Sequence, residues 1–160
     1  MSSLSLGYWG LGELLEFETE EDYGADNIKN ILAPLMPEGI VITDCKEAEP
    51  SKKTLAAKTE AAEYIIAVPL HEKIDMTSSD IYDKYMGQEK ILTYKKQKKK
   101  KELAEVDIKP MIRDLSFVVE EETLFVTAYL DSGSTSNLSP ELVITTLIEC
   151  LGLDAERSEV

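Results

Sequence analysis

A chain with one histidine and two cysteines has few ligands for a metal centre. His71 stands alone, and Cys45 and Cys150 lie far apart without C-x-x-C spacing. Structural zinc takes four nitrogen or sulfur ligands, and an iron–sulfur cluster takes a set of thiolates. The sequence therefore predicts no metal and no other cofactor held by this chain alone. Two isolated cysteines also make no disulfide framework and read as reduced thiols of a cytoplasmic protein. Both sit beside apolar residues, where a thiol serves as a small core hydrophobe. Basic residues are scarce too: 17 Lys and Arg stand against 31 Asp and Glu, for a formal net charge of −14. Such a surface disfavours general attraction to DNA, RNA or anionic lipid. Nowhere do about 18 uninterrupted apolar residues occur, which disfavours a membrane-spanning helix. The N-terminal "MSSLSLGYWGLGE" lacks the basic region and apolar stretch of a secretory signal.

Against this acidic background stands one basic cluster. "ILTYKKQKKKKELAEVDIKP" places Lys95, Lys96, Lys98, Lys99, Lys100 and Lys101 within seven residues. Like charges so close repel one another, so residues 95–104 are predicted to form a solvated, lysine-rich loop between two strands. The functional alternative is a local contact with a polyanion, either RNA or an acidic partner surface.

The apolar pattern predicts an α+β protein in the order βαβ, βαβ, ββα, with ferredoxin-like layers of helices over mixed or antiparallel sheets. In "ELLEFETE", Leu15 and Phe17 alternate with Glu16 and Glu18 as in a half-buried strand. Ile28, Ile31, Leu32 and Leu35 recur at helical spacing after Asp26, and "PEG" precedes a second predicted strand, "IVITDC". Residues 1–49 thus read as one βαβ half-unit. A second lobe spans residues 58–153: "AEYIIAV" as a strand, "SSDIYDKYMG" as a helix capped near Ser79 and stopped by Gly87, and "EKILTYK" as a strand. An antiparallel pair follows, turning near Glu120 to Glu122. Ser139 and Pro140 open a final helix that Gly152 closes.

No constellation of side chains carries a reaction. "GYWGLGE" has glycines at G-x-x-G-x-G spacing without the preceding strand that a dinucleotide fingerprint needs. Its aromatic pair, Tyr8 and Trp9, is instead a candidate interface. Glu16, Glu18, Glu20, Glu21 and Asp22 read as a solvated acidic face, since a hard cation needs converging oxygens. His71 follows a strand and has no nucleophile beside it, so it reads as a loop residue. No catalytic residue is assigned, and the chain reads as non-catalytic on its own.

Several segments in their order resemble a known family. "SLSLGYWGLGELLEFE", "NIKNILAPLMPEGIVITDCKEAE", "AAEYIIAV", "LTYKK" leading to "EVDIKPMIRDL", and "SPELVITTLIECLGL" are together similar to the radical SAM-linked family. That family is a bacterial domain of unknown function encoded beside, or fused to, a cobalamin-binding-type radical SAM protein. The most specific matches are Ile31, Leu32, Pro37 and Gly39, and the lysine-rich segment running into Val106 to Ile112. The resemblance implies an accessory or interaction role beside a radical SAM protein, which would hold the cluster. Family members begin with a further half carrying "SHLD"-like and "GF.P.P"-like motifs, and this chain starts after them. The resemblance therefore implies a fragment whose exposed sheet edge could be covered by a homodimer. RNA binding through the lysines is the alternative function.

Overall fold

The computed structural model describes residues 7–49, 53–96 and 103–155. The chain divides into two compact units, Met1–Lys58 and Thr59–Val160.

In the N-terminal unit the helical periodicity is realised as α1, Ala25–Leu32, continued by a 3-10 turn over Ala33–Leu35. Pro34 lies in the first turn of that 3-10 segment, where its missing N–H is tolerated. The N-cap is Gly24 at φ 70°, so the helix starts before Asp26 and leaves Asp26 inside its first turn. A carboxylate there suits the positive end of the helix dipole. A short helix α2, Leu55–Lys58, ends the unit.

The two strands expected around α1 are not formed: "ELLEFETE" and "IVITDC" lie in irregular backbone. Alternation alone cannot make a strand, because each needs a neighbour to take up its N–H and C=O groups. Side-chain bonds hold these segments instead. Lys29 Nζ donates to Thr43 O at 2.6 Å, and Leu55 N–H donates to Glu16 Oε1 at 2.9 Å.

The C-terminal unit is an α+β fold with antiparallel sheets. Its elements are β1 (Ala61–Pro69), α3 (Ser78–Met86), β2 (Leu92–Lys96), β3 (Leu103–Asp107), a 3-10 turn (Lys109–Met111), β4 (Ile112–Glu120), β5 (Thr123–Asp131) and α4 (Pro140–Leu151). Strands β1, β5 and β4 form one sheet in that order, with β5 at the centre, and β2 and β3 form a separate ribbon.

The expected turn between β4 and β5 falls at Glu121 and Glu122, with Glu121 at φ 49°. Period-2 alternation then sorts the faces. Leu124, Val126, Ala128 and Leu130 of β5 point into the core, opposite Val68, Ile66, Tyr64 and Ala62 of β1. In β4 a bulge between Ile112 and Asp114 absorbs one residue, so that Ile112 and Leu115, three apart, are both buried.

Helices α3 and α4 supply the second layer, through Ile81 and Tyr85 from one and Val143, Ile144 and Leu147 from the other. The N-cap of α3 is Thr77 rather than Ser79. Thr77 Oγ1 accepts from Asp80 N–H at 3.2 Å while Thr77 N–H donates to Asp80 Oδ2 at 3.0 Å, a reciprocal capping box. Gly87 and Gly152 end the two helices as the sequence predicts, Gly152 in the left-handed conformation at φ 67°.

Candidate interaction surface

Large apolar side chains left in water define the first candidate surface. None of the described residues of the N-terminal unit is buried. Trp9 is 93% exposed, Leu11 and Val41 are nearly as open, and Ile31 and Leu35 of the α1 and 3-10 segments face solvent as well. Exposed large apolar groups in such number mark this unit as a candidate binding surface. Of the predicted aromatic pair, Trp9 is fully presented and Tyr8 is half-buried. Leu11 and Val41 were not singled out from sequence, and Leu35 was read only as part of the helical apolar periodicity. The signal was present in their spacing, but it reads equally as core until the missing strands are known.

The lysine cluster forms the second candidate. Lys95 and Lys96 do not belong to a loop: they continue β2 and pair with Ala104 and Leu103 of β3. The return strand begins at Leu103, inside the span of the predicted 95–104 loop. Lys98, Lys99, Lys100 and Lys101 lie outside the described residues. What the fold does fix is the root of this ribbon. Asp107 Oδ1 accepts from Ile91 N–H at 3.0 Å and from Lys109 N–H at 3.1 Å, and Lys109 Nζ donates to Gln88 O at 2.6 Å. Ile91 and Ile108 are buried on either side of it and joined by Ile108 N–H to Ile91 O at 2.8 Å. The ribbon is thereby anchored in the core.

A third cluster closes one end of the sheet. Arg113 Nε donates to Asp131 Oδ1 at 2.6 Å, its Nη2 reaches Glu60 O at 3.3 Å, and its guanidinium lies 5.8 Å from the Tyr129 ring centroid. Ser136 and, after it, Arg113 hold the Asp131 carboxyl below its usual range, and Asp131 in turn raises Arg113. Leu138 N–H donates to Asp131 O and Gly133 N–H to Ser136 O, both at 2.8 Å, so the cluster staples the loop before α4. Its bonds are internal, which makes it a clamp.

The remaining predicted residues are placed as follows. His71 is exposed, and its backbone N–H donates to Asp154 O at 2.9 Å. A cavity of about 300 Å³ opens nearby, between residues 70–76 and 151–154, with apolar walls from Leu70, Ile74, Met76 and Leu153 and carboxylates at Glu72 and Asp75. Cys150 is half-buried and packs against the core, whereas Cys45 is half-buried in the N-terminal unit, where no described residue is fully buried. In the acidic segment Glu16 meets Leu55, and Asp22 Oδ1 accepts from Gly24 N–H at 3.0 Å, a local turn. Among the described residues, no three His, Cys, Asp or Glu side chains are placed to hold a metal ion. Nor is any helix among them long and apolar enough to cross a membrane.

The family described as an uncharacterized protein conserved in bacteria, DUF2344, has a model that matches residues 1–140. The chain belongs to the DUF2344 family. The matched stretch takes in both exposed Trp9 and the whole β2–β3 ribbon, so both candidate surfaces of this DUF2344 chain lie inside the family's span. No curated protein and no solved structure matches it.

Proposed function

We propose that this DUF2344 chain is an accessory or interaction module, non-catalytic by itself, that works with a radical SAM enzyme. The observation that carries the interaction role is the exposed apolar set of the N-terminal unit, Trp9 above all. Tryptophan is the residue type most enriched among those that dominate binding energy at protein interfaces. The choice of partner rests on the resemblance of the quoted segments to the radical SAM-linked family. The described carboxylates with resolved roles also support the non-catalytic reading, since Asp80, Asp107 and Asp131 are each spent on structural bonds.

The test is co-purification of the chain with the radical SAM protein at low salt, with Trp9→Ala and Leu11→Ala compared against the unchanged chain. Trp9→Ala is expected to weaken retention roughly 30-fold or more, the equivalent of a hot-spot loss of about 2 kcal/mol. Retention unchanged by both substitutions, or no retention at all, would refute the proposal. The second reading, RNA binding, is favoured by Lys95 and Lys96, whose backbone belongs to an anchored antiparallel ribbon. RNA in the eluate, released by moderate salt, would select it, because phosphate contacts weaken steeply as counterions compete.

A further inference from the structure

Among the described residues, strand β1 is an edge of the three-stranded sheet, and along its nine residues it pairs with β5 on one side only. Two flanking bonds fix the direction of every peptide group in it. Ser132 N–H donates to Glu60 O at 2.9 Å, and Leu70 N–H donates to Glu122 O at 2.8 Å, both in step with the β1–β5 register. Bonding residues alternate along an antiparallel ladder. Even-numbered residues from Glu60 to Leu70 therefore turn their N–H and C=O groups towards β5. Ala61, Glu63, Ile65, Ala67 and Pro69 turn theirs to the open side. Pro69, which has no N–H, falls at an outward position, the place an edge strand tolerates proline.

The two edges of this sheet differ. On the far side β4 is broken by the bulge at Arg113 and carries Asp114 and Glu120, devices that discourage strand pairing. Strand β1 has no bulge and one charge, Glu63, and its Ile65 side chain is 71% exposed.

We propose that the β1 edge is a self-pairing site: β1 of a second copy aligns antiparallel to it about a two-fold axis at Ile65, joining the two three-stranded sheets. The strand is self-complementary in that register. Ala61 faces Pro69 of the second copy, Ala62 faces Val68, Glu63 faces Ala67, Tyr64 faces Ile66, and Ile65 faces itself. All nine residues overlap, and only the two Pro69 positions lack a donor. On the core side Tyr64 and Ile66, half-buried in one copy, meet twice as aromatic and β-branched pairs, a stabilising combination. On the outer side the exposed Ile65 side chains cover each other. The Glu63 carboxylates are offset by four residues, about 13 Å at roughly 3.3 Å per residue, beyond the screening length of about 8 Å at physiological salt. A register centred on Glu63 would set them face to face, which is destabilising. Two chains of net charge −14 repel at long range, so association must tighten as salt rises. This pairing goes beyond the accessory role and does not rest on it.

Sedimentation equilibrium of the full chain at low and high salt tests the site, with amide hydrogen exchange at Glu63, Ile65 and Ala67. The unchanged protein is expected to dimerise, more tightly at high salt, with those three amides protected. Ile65→Lys places two ammonium groups together at the axis. It is expected to raise the dimer dissociation constant by ~100-fold or more and to release the three amides, while the melting temperature measured at concentrations where both proteins are monomeric stays unchanged. Ala67→Pro, which removes an outward N–H and leaves the β5 ladder intact, is expected to weaken the dimer in the same direction. A monomer at both salts overturns the proposal, as does a dimer indifferent to Ile65→Lys. Protected Glu63, Ile65 and Ala67 amides in a monomer would also overturn it, since another segment would then cover the edge.

Discussion

Leu147→Ala is expected to lower the unfolding free energy by about 2–5 kcal/mol, the range for emptying a buried leucine site. Leu147 lies on the inward face of α4 and has no solvent exposure. The matched substitution Leu35→Ala, at a residue 70% exposed in the N-terminal unit, is expected to change stability by no more than about 0.5 kcal/mol. Urea unfolding of the two variants at equal protein concentration checks both values. Similar losses for the two would mean that residues 7–49 share a core, contrary to the burial pattern. The contrast matters for function, because a side chain that contributes little to folding is free to be selected for contact with a partner.

Raising the pH above 10 is expected to weaken the fold through Tyr85. Its hydroxyl lies 2.7 Å from Thr146 Oγ1 and 3.4 Å from Val143 O, deep between α3 and α4. Burial, only partly offset by the Thr146 bond, pushes the phenol up to about 12 from its ordinary 10.0. In the unfolded chain it ionises near 10, so between pH 10 and 12 the unfolded state has lost a proton that the folded state keeps. Stability therefore falls through this window, by about 1.4 kcal/mol per pH unit and about 3 kcal/mol in all. Below pH 10 the contribution is fully present. Tyr85→Phe removes the ionisable group, and Thr146 Oγ1 retains its bond to Leu142 O at 2.9 Å. The difference between the two proteins in denaturant midpoint, followed from pH 8 to 12, should therefore shrink as pH rises. A constant difference would refute the assignment.

The elements legible in the sequence were those whose signals are local. Strand β5 announced itself by alternation after a turn near Glu120 to Glu122, and α4 by Pro140 inside its first turn and Gly152 after its last, whereas the 3-10 turn over Lys109–Met111 that separates β3 from β4 had no such signal. The cap of α3 moved from Ser79 to Thr77 because a capping box needs an acceptor three residues on, and Asp80 supplies it only for Thr77. Leu15 and Phe17 carry a strand's pattern but have no neighbouring strand to bond, so the pattern yields exposed apolar groups instead. Lys95 and Lys96 were misplaced for the opposite reason: charge repulsion argued for a loop, yet pairing with Ala104 and Leu103 outweighs it. The bonds from Asp107 to Ile91 and from Arg113 to Asp131 and Glu60 join distant parts of the chain, and no spacing rule exposes them. Trp9 as a surface group was readable from its glycine-rich setting. The outward turn of Ile65 and Pro69 was not, because it depends on the register with β5.

That register also has a consequence in time. Strands β4 and β5 are joined by two residues, so their hairpin can close in about 1–10 μs. Strand β1 reaches the same partner only after α3, the lysine ribbon and β4 have been gathered between them, and that loop-closure cost must be met first. Folding kinetics are thus expected to place Phe117 in the transition state and Val68 after it. Phe117→Leu should slow folding, and Val68→Ala should chiefly speed unfolding; the reverse pattern would exclude this order. Until it docks, β1 offers two free edges rather than one, and the last strand to arrive is the one from which a second molecule could start.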